Sequence, residues 1–189
     1  MMRIITGRAR GTQLYTLEGE ATRPTSERAK EAVFSALQFE LNGRRVLDLF
    51  AGSGQMALEA ISRGAASAVL VDASPKAVEI IQKNVSKTHF ENESTVMCAD
   101  YADAVRRVTE RFDLVVLDPP YAKRLVAPAL RALIKADKLE KGAIIICESG
   151  EPEVFTDDTT LAEYFTVRKT AKYGVAYVTI LEYKEDDHG

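Results

Sequence analysis

A chain of 189 residues with 46% hydrophobic and 28% charged residues can bury one sizeable core, which excludes a disordered chain. No apolar run approaches the roughly 20 residues of a membrane-spanning helix, and the N-terminus lacks the apolar stretch of a signal peptide, so a cytoplasmic location is expected. Formal charge is −3, from 25 Lys and Arg against 28 Asp and Glu, and taken as one number it speaks against a nucleic-acid partner.

Residues 2–6 and 12–17 are predicted as short strands joined through Gly7-Arg8-Ala9-Arg10-Gly11, followed by a linker over 16–23 and a helix over 26–41. Thr25 or Ser26 can cap that helix, Glu27 suits its positive end, and Ala29, Ala32, Val33, Ala36 and Leu37 form its apolar face. From residue 45, β-branched runs alternate with helical spacing. Strands are predicted at 46–50, 68–72, 94–98, 112–118 and 143–148, with helices at 55–63, 75–87, 101–111 and 124–136 between them. Four such alternations imply βαβ units and a parallel sheet covered on both faces. Two further strands, 165–171 and 175–183, read as an antiparallel hairpin, so the sheet should finish with an antiparallel strand. The acidic 185–189 segment reads as a solvated tail. Cys98 and Cys147 lack C-x-x-C spacing, and His89 and His188 sit in no motif, so no disulfide framework, metal site or Ser-His-Asp triad is expected.

The first core strand runs through Asp48-Leu49-Phe50-Ala51-Gly52-Ser53-Gly54 into a helix. Glycines there let the backbone turn sharply and approach a ligand beside helix-terminal N–H groups. Gly52-Ser53-Gly54-Gln55-Met56-Ala57 also satisfies the dinucleotide fingerprint, with Asp72 near the spacing of a ribose-binding acid. Asp48 argues against a dinucleotide, because a carboxylate beside the turn repels pyrophosphate but suits a ligand carrying an ammonium and a sulfonium. S-adenosylmethionine is such a ligand. Asp72 and the adjacent Ala73 would then meet the ribose, or Asp72 would merely cap the next helix. Asp100 and Tyr101 would meet the adenine, or Asp100 would only cap the helix it precedes.

The fourth strand passes directly into Asp118-Pro119-Pro120-Tyr121. A double proline ends a strand and presents rigid carbonyls at the carboxyl edge of the sheet, where open α/β sheets bind ligands. An exocyclic amine on a planar base is a poor nucleophile, since its lone pair is delocalised into the ring. Accepting its two hydrogens on the Asp118 carboxylate and the Pro119 carbonyl would turn that lone pair toward a methyl donor, with Tyr121 stacked on the base.

Together these residues resemble class I S-adenosylmethionine-dependent methyltransferases, within them the N-methyltransferases that carry a [DNS]-P-P-[YFW] loop. Arg3-Ile4-Ile5-Thr6-Gly7-Arg8-Ala9-Arg10-Gly11 and Arg23-Pro24-Thr25-Ser26-Glu27-Arg28-Ala29-Lys30-Glu31-Ala32-Val33-Phe34 narrow the resemblance. With the Asp48 and Asp118 motifs they are similar to the RsmD family, bacterial 16S rRNA guanine-N2 methyltransferases, over essentially the whole chain. The resemblance implies a Rossmann-like seven-stranded sheet and N2 methylation of one guanine in 16S rRNA, in the assembled or assembling small subunit. S-adenosylmethionine would be the cofactor, S-adenosylhomocysteine the product, and a monomer the expected state. It departs from the family where Glu27 replaces a common Asp, Thr6 a common Gly, and Asp72 a frequent Glu.

Residues 1–45 hold eight Lys or Arg against five Asp or Glu, so the negative charge belongs to the rest of the chain. Read alone, Arg3, Arg8, Arg10, Arg23 and Arg28 suit either a solvated hairpin or an arm that grips RNA phosphates. The resemblance favours the arm, giving an extension over 1–45 and a methyltransferase core over 46–189 in one unit. The alternatives are an N6-adenine methyltransferase acting on DNA or RNA, a non-catalytic nucleic-acid-binding module and an NAD-dependent oxidoreductase. The absence of a DNA-recognition domain, the acids Asp48, Asp72 and Asp118, and the missing substrate domain disfavour them in turn.

Overall fold

Each apolar run bounded by a helical stretch becomes a strand of one sheet in the computed structural model, which describes residues 2–18 and 24–184, with only the backbone at Pro24, Thr25 and Tyr121. The order is α1 (Pro24–Ala36), β1 (Arg45–Asp48), α2 (Gln55–Ser62), β2 (Ser67–Asp72), α3 (Pro75–Thr88), β3 (Ser94–Cys98), α4 (Tyr101–Arg107) and β4 (Phe112–Leu117). A 3₁₀ turn (Tyr121–Lys123), α5 (Val126–Lys135), β5 (Leu139–Ser149), β6 (Phe165–Tyr173) and β7 (Ala176–Tyr183) complete it. Strands pair in the order β3-β2-β1-β4-β5-β7-β6. The first five are parallel, and β7 enters antiparallel between β5 and β6. The Rossmann-like architecture with an antiparallel last strand is therefore present.

Period-2 alternation divides the sheet's side chains between two apolar layers. Val46, Leu114, Val116, Ile144 and Ile146 face α1, α2 and the N-terminal segment, while Leu47, Val115, Leu117, Ile145 and Cys147 face α4 and α5. Met2, Ile4 and Leu14 share the first layer, packed with Phe34 and Leu37. The strand order reverses at β1, which has β2 on one side and β4 on the other, so a crevice opens at the carboxyl ends of these parallel strands.

The predicted N-terminal pairing forms over a short span, with Ile4 N–H donating to the Thr12 carbonyl at 3.0 Å and Leu14 N–H to the Met2 carbonyl at 2.9 Å. Arg3 and Gln13 form an isolated bridge, whereas the Ile5 and Thr6 N–H groups donate to the Glu59 carboxylate at 2.7 and 3.2 Å. Glu59 is wholly buried and also accepts from Lys30 Nζ at 3.4 Å and Arg63 Nε at 3.1 Å. Burial pushes the Lys30 ammonium below the ordinary lysine value, with Glu59 pulling it back up, and its Nζ also donates to the Arg3 carbonyl at 3.1 Å. Four donors converge on one carboxylate, so losing it strands a buried cation and two backbone N–H groups. Glu59→Ala is expected to cost about 3–5 kcal/mol, read as a lower urea midpoint, and a change under about 1 kcal/mol would refute this role.

At the far end of α2, Arg8 N–H donates to the Ser62 carbonyl at 2.9 Å and Ala9 N–H to Ser62 Oγ at 2.9 Å. Gly7 permits this approach, since a Cβ there would lie 1.9 Å from the Ser62 carbonyl oxygen and its φ is +94°. No helix among the described residues is long and apolar enough to cross a membrane.

Candidate active site

Parallel strands bring their terminal acids to one edge. Asp48 ends β1, Asp72 ends β2, Asp100 follows β3 and Asp118 follows β4. All four line one cleft of about 670 Å³, together with Phe50, Ala51, Gly52, Ala73, Tyr101, Pro119 and Pro120. That volume suits a nucleoside-sized ligand. Ser53 and Gly54 lie behind its wall. Ser53 is fully buried with its hydroxyl on Met2 Sδ at 3.4 Å, and Gly54 holds the left-handed φ of 85° that starts α2. Its missing Cβ would sit 3.0 Å from Leu70. The two residues shape the turn from the core side.

Asp48 is 2% exposed, and its carboxyl is pushed up to about 7 by burial, with nearby Asp72 adding to the rise and the Phe50 N–H opposing it. Phe50 N–H donates to Asp48 Oδ1 at 3.3 Å. Among the described residues no cation is paired with it, and it gains a partner if a cation enters the cleft. Asp72 bridges two turns by accepting from Gly52 N–H at 3.0 Å and Ser74 N–H at 2.9 Å. Ser74, not Asp72, caps α3, accepting from Ala77 N–H. Asp100 does cap α4 through Oδ1, on Ala102 N–H at 2.9 Å. Each carboxylate oxygen has two acceptor positions, so these roles leave capacity for a ligand. The Phe50 and Tyr101 rings stand 5.6 Å apart and tilted, forming an apolar wall.

After β4 the chain carries Asp118 exposed and Pro119 buried. The Pro120 carbonyl accepts from Lys123 N–H at 3.1 Å, closing the 3₁₀ turn, so it is not one of the open acceptors that the double proline predicted. The Pro119 carbonyl lies outside that turn. The Tyr121 side chain, like Arg23, is outside the described residues.

A second, smaller pocket of about 130 Å³ adjoins the cleft and shares Gln55, Met56, Val116 and Asp118 with it. It lies between the sheet edge and α1, where Met2, Lys30 and Glu148 also line it. Leu17, Gln55, Met56 and Lys123 in the cleft, and Lys30 and Glu148 in the pocket, are not among the residues predicted from sequence. Glu148 alone had a signal, as an acid near the end of a parallel strand like the other four.

The arginines divide. Arg3, Arg8, Arg10 and Arg28 are exposed. Arg8 pairs with Glu93 at 3.5 Å and lies over the Phe90 ring at 5.1 Å. Because its turn binds the last residue of α2 while Gln55 at the first lines the cleft, Arg8 sits about 10 Å along the helix from the site. The segment returns to the site at both ends, Met2 in the pocket and Leu17 in the cleft.

The family described as Conserved hypothetical protein 95 matches residues 2–182. The Ribosomal RNA small subunit methyltransferase D of Haemophilus influenzae is 31% identical, over 85% of this chain and 86% of its own length. The protein of the same name from Escherichia coli K12 is 31% identical, over 78% and 74%. Among solved structures, yhhF of Escherichia coli superposes with a TM-score of 0.84 at 26% identity, covering 98% of this chain and 99% of that one. With these matches spanning the N-terminal segment, the Gly-rich turn and the Asp118 loop alike, the chain belongs to the RsmD family of methyltransferases.

Proposed function

We propose that the protein transfers a methyl group from S-adenosylmethionine to the exocyclic N2 amine of a guanine in 16S rRNA. The observation that carries this reading is the convergence of Asp48, Asp72, Asp100 and Asp118 on one cleft at the carboxyl edge of the sheet. When bound, the cofactor supplies a methyl group made electrophilic by its sulfonium. The chain's own residues bind and orient. Asp48 offers a buried carboxylate to a cationic ligand, Asp72 has acceptor capacity for ribose hydroxyls, and Asp100 has it for the adenine amino group. Phe50 and Tyr101 bound the cleft with apolar surface. Asp118 and the Pro119 carbonyl hold the two amine hydrogens of the acceptor base, so its lone pair faces the methyl carbon. The donor set suits a cation better than a pyrophosphate, which disfavours a dinucleotide. The names of the relatives support small-subunit rRNA as substrate.

The test is methyl transfer from labelled cofactor to free 16S rRNA, to small subunits lacking the modification, or to DNA, followed by nucleoside identification. N2-methylguanosine in RNA is the expected result. N6-methyladenosine, or RNA without label, would overturn the reading.

Arg3, Arg8, Arg10, Arg23 and Arg28 complete the proposal as phosphate contacts. The offset of Arg8, about 10 Å along α2, suits it to RNA flanking the target nucleotide. The double change Arg8→Glu, Arg10→Glu is expected to weaken rRNA binding and flatten its salt dependence by about two in log–log slope, with cofactor affinity unchanged. An unaltered salt slope would remove these two residues from the RNA surface.

A further inference from the structure

The small pocket beside Asp118 holds a second carboxylate at the sheet edge. In the β4 and β5 register, Leu117 pairs with Cys147, which sets Asp118 beside Glu148. Alternation places both on the face of Val116 and Ile146, toward α1. Both line the pocket, whose remaining walls are largely apolar, Met2, Val33 and Met56 among them, and whose α1 side carries the buried Lys30. A small pocket that combines apolar side chains with two adjacent carboxylates is complementary to a heterocycle presenting neighbouring N–H donors.

We infer that Glu148 is a specificity-determining residue, accepting the ring N1–H of guanine while Asp118 accepts from the neighbouring N2 amine. The inference rests on the proposed methylation of guanine and goes beyond it by explaining why adenine is refused. Adenine also carries an amine that Asp118 and Pro119 could hold, but its ring nitrogen beside that amine is an acceptor. Against Glu148 it would set lone pair against lone pair, at an edge that the bound base desolvates, where an unmet acceptor is costly. Glu148 is half-buried, and a carboxylate has several acceptor positions, so contacts within the protein do not preclude this one.

The experiment compares wild type and Glu148→Ala on small subunits lacking the modification, reading kcat/KM and the methylated nucleoside, with cofactor affinity and Tm measured in parallel. Glu148→Ala is expected to lose about 10- to 150-fold in kcat/KM on guanine at unchanged cofactor affinity. Glu148→Gln, whose amide can donate to adenine N1, should narrow the preference of guanine over adenine. A second comparison uses the wild-type protein, with 2-aminopurine in 16S rRNA at the guanine it labels. That base keeps the amine but carries a lone pair at N1, so a loss of similar size is expected. If wild type forms N2-methylguanosine and both Glu148→Ala and the 2-aminopurine substrate react within twofold of the parent pair, the role of Glu148 is refuted. If wild type forms N6-methyladenosine or no product, the functional reading itself fails. Should Glu148→Ala unfold, the 2-aminopurine comparison decides alone.

Discussion

Asp118→Ala is expected to lower kcat by about 10²- to 10³-fold while cofactor affinity stays within a few-fold of wild type. The asymmetry follows from what the residue does in each state. An arylamine nitrogen attacks only after its lone pair leaves conjugation with the ring, and positive charge grows on it as the new bond to carbon forms. A carboxylate fixed beside one N–H favours both changes, whereas the ground state needs it little. Asp118 follows β4 at a position shared by the cleft and the smaller pocket, so the fold places it at the junction where donor and acceptor would meet. Asp118→Asn keeps an acceptor oxygen without the charge and should fall between wild type and Ala. Single-turnover rates with saturating cofactor, beside calorimetric binding of S-adenosylhomocysteine, separate the two effects. Full turnover in Asp118→Ala would remove the proposed amine acceptor.

The site was more legible in the sequence than its surroundings because the chemistry sits at strand ends. An acid closing a β-branched run can be read without knowing the strand order, and Asp48, Asp72 and Asp118 all obey that rule. Glu148 obeys it too, yet only the register beside Asp118 makes it a candidate site residue. Lys30 and Gln55 reach the site by tertiary packing alone. Two helices end short of the expected bounds because burial outlasts helical hydrogen bonding. Leu37 and Leu41 are buried, which prolongs the helical apolar spacing, although α1 ends at Ala36 and the chain continues in turns. Likewise α4 stops at Arg107 because Val108 turns extended, at φ −67° and ψ 141°, to enter the second apolar layer. Arg124 begins no helix, since its φ of 48° is left-handed and α5 starts at Val126. The predicted N-terminal hairpin shrank for a different reason. Glu59 takes the Ile5 and Thr6 N–H groups, and Asn84 takes both backbone groups of Tyr15, so side chains 53 to 69 residues away in sequence replace ladder bonds. Local patterning carries no trace of such partners.

Asp48→Asn is expected to act in opposite directions on the stability of the free protein and on cofactor binding. In the ligand-free fold the Asp48 carboxyl titrates near 7, against 3.8 for the ordinary group, with burial as the main cause. Between about pH 4 and pH 7 the folded chain therefore holds a proton that the unfolded chain has released. Its stability contribution is fully present below the unfolded value and is lost as pH rises through the folded one, so at pH 8 the ionised carboxylate is a burden on the empty fold. An isosteric amide carries no such charge, and the ligand-free Asp48→Asn protein should melt higher than wild type at pH 8, with the gap closing toward pH 5. A cationic cofactor reverses the balance. Its charge favours the ionised carboxylate, so binding expels the proton, and wild-type affinity should strengthen up to about tenfold per pH unit below 7 and flatten above it. In Asp48→Asn that pH dependence should vanish and affinity at pH 8 should fall about 10- to 150-fold, the worth of one hydrogen bond to a charged group. Calorimetric titration of S-adenosylmethionine from pH 6 to pH 8, in buffers of different ionisation enthalpy, measures affinity and proton release together. A pH-independent wild-type affinity with no proton release would place the cation away from Asp48 and leave its burial without a role in binding.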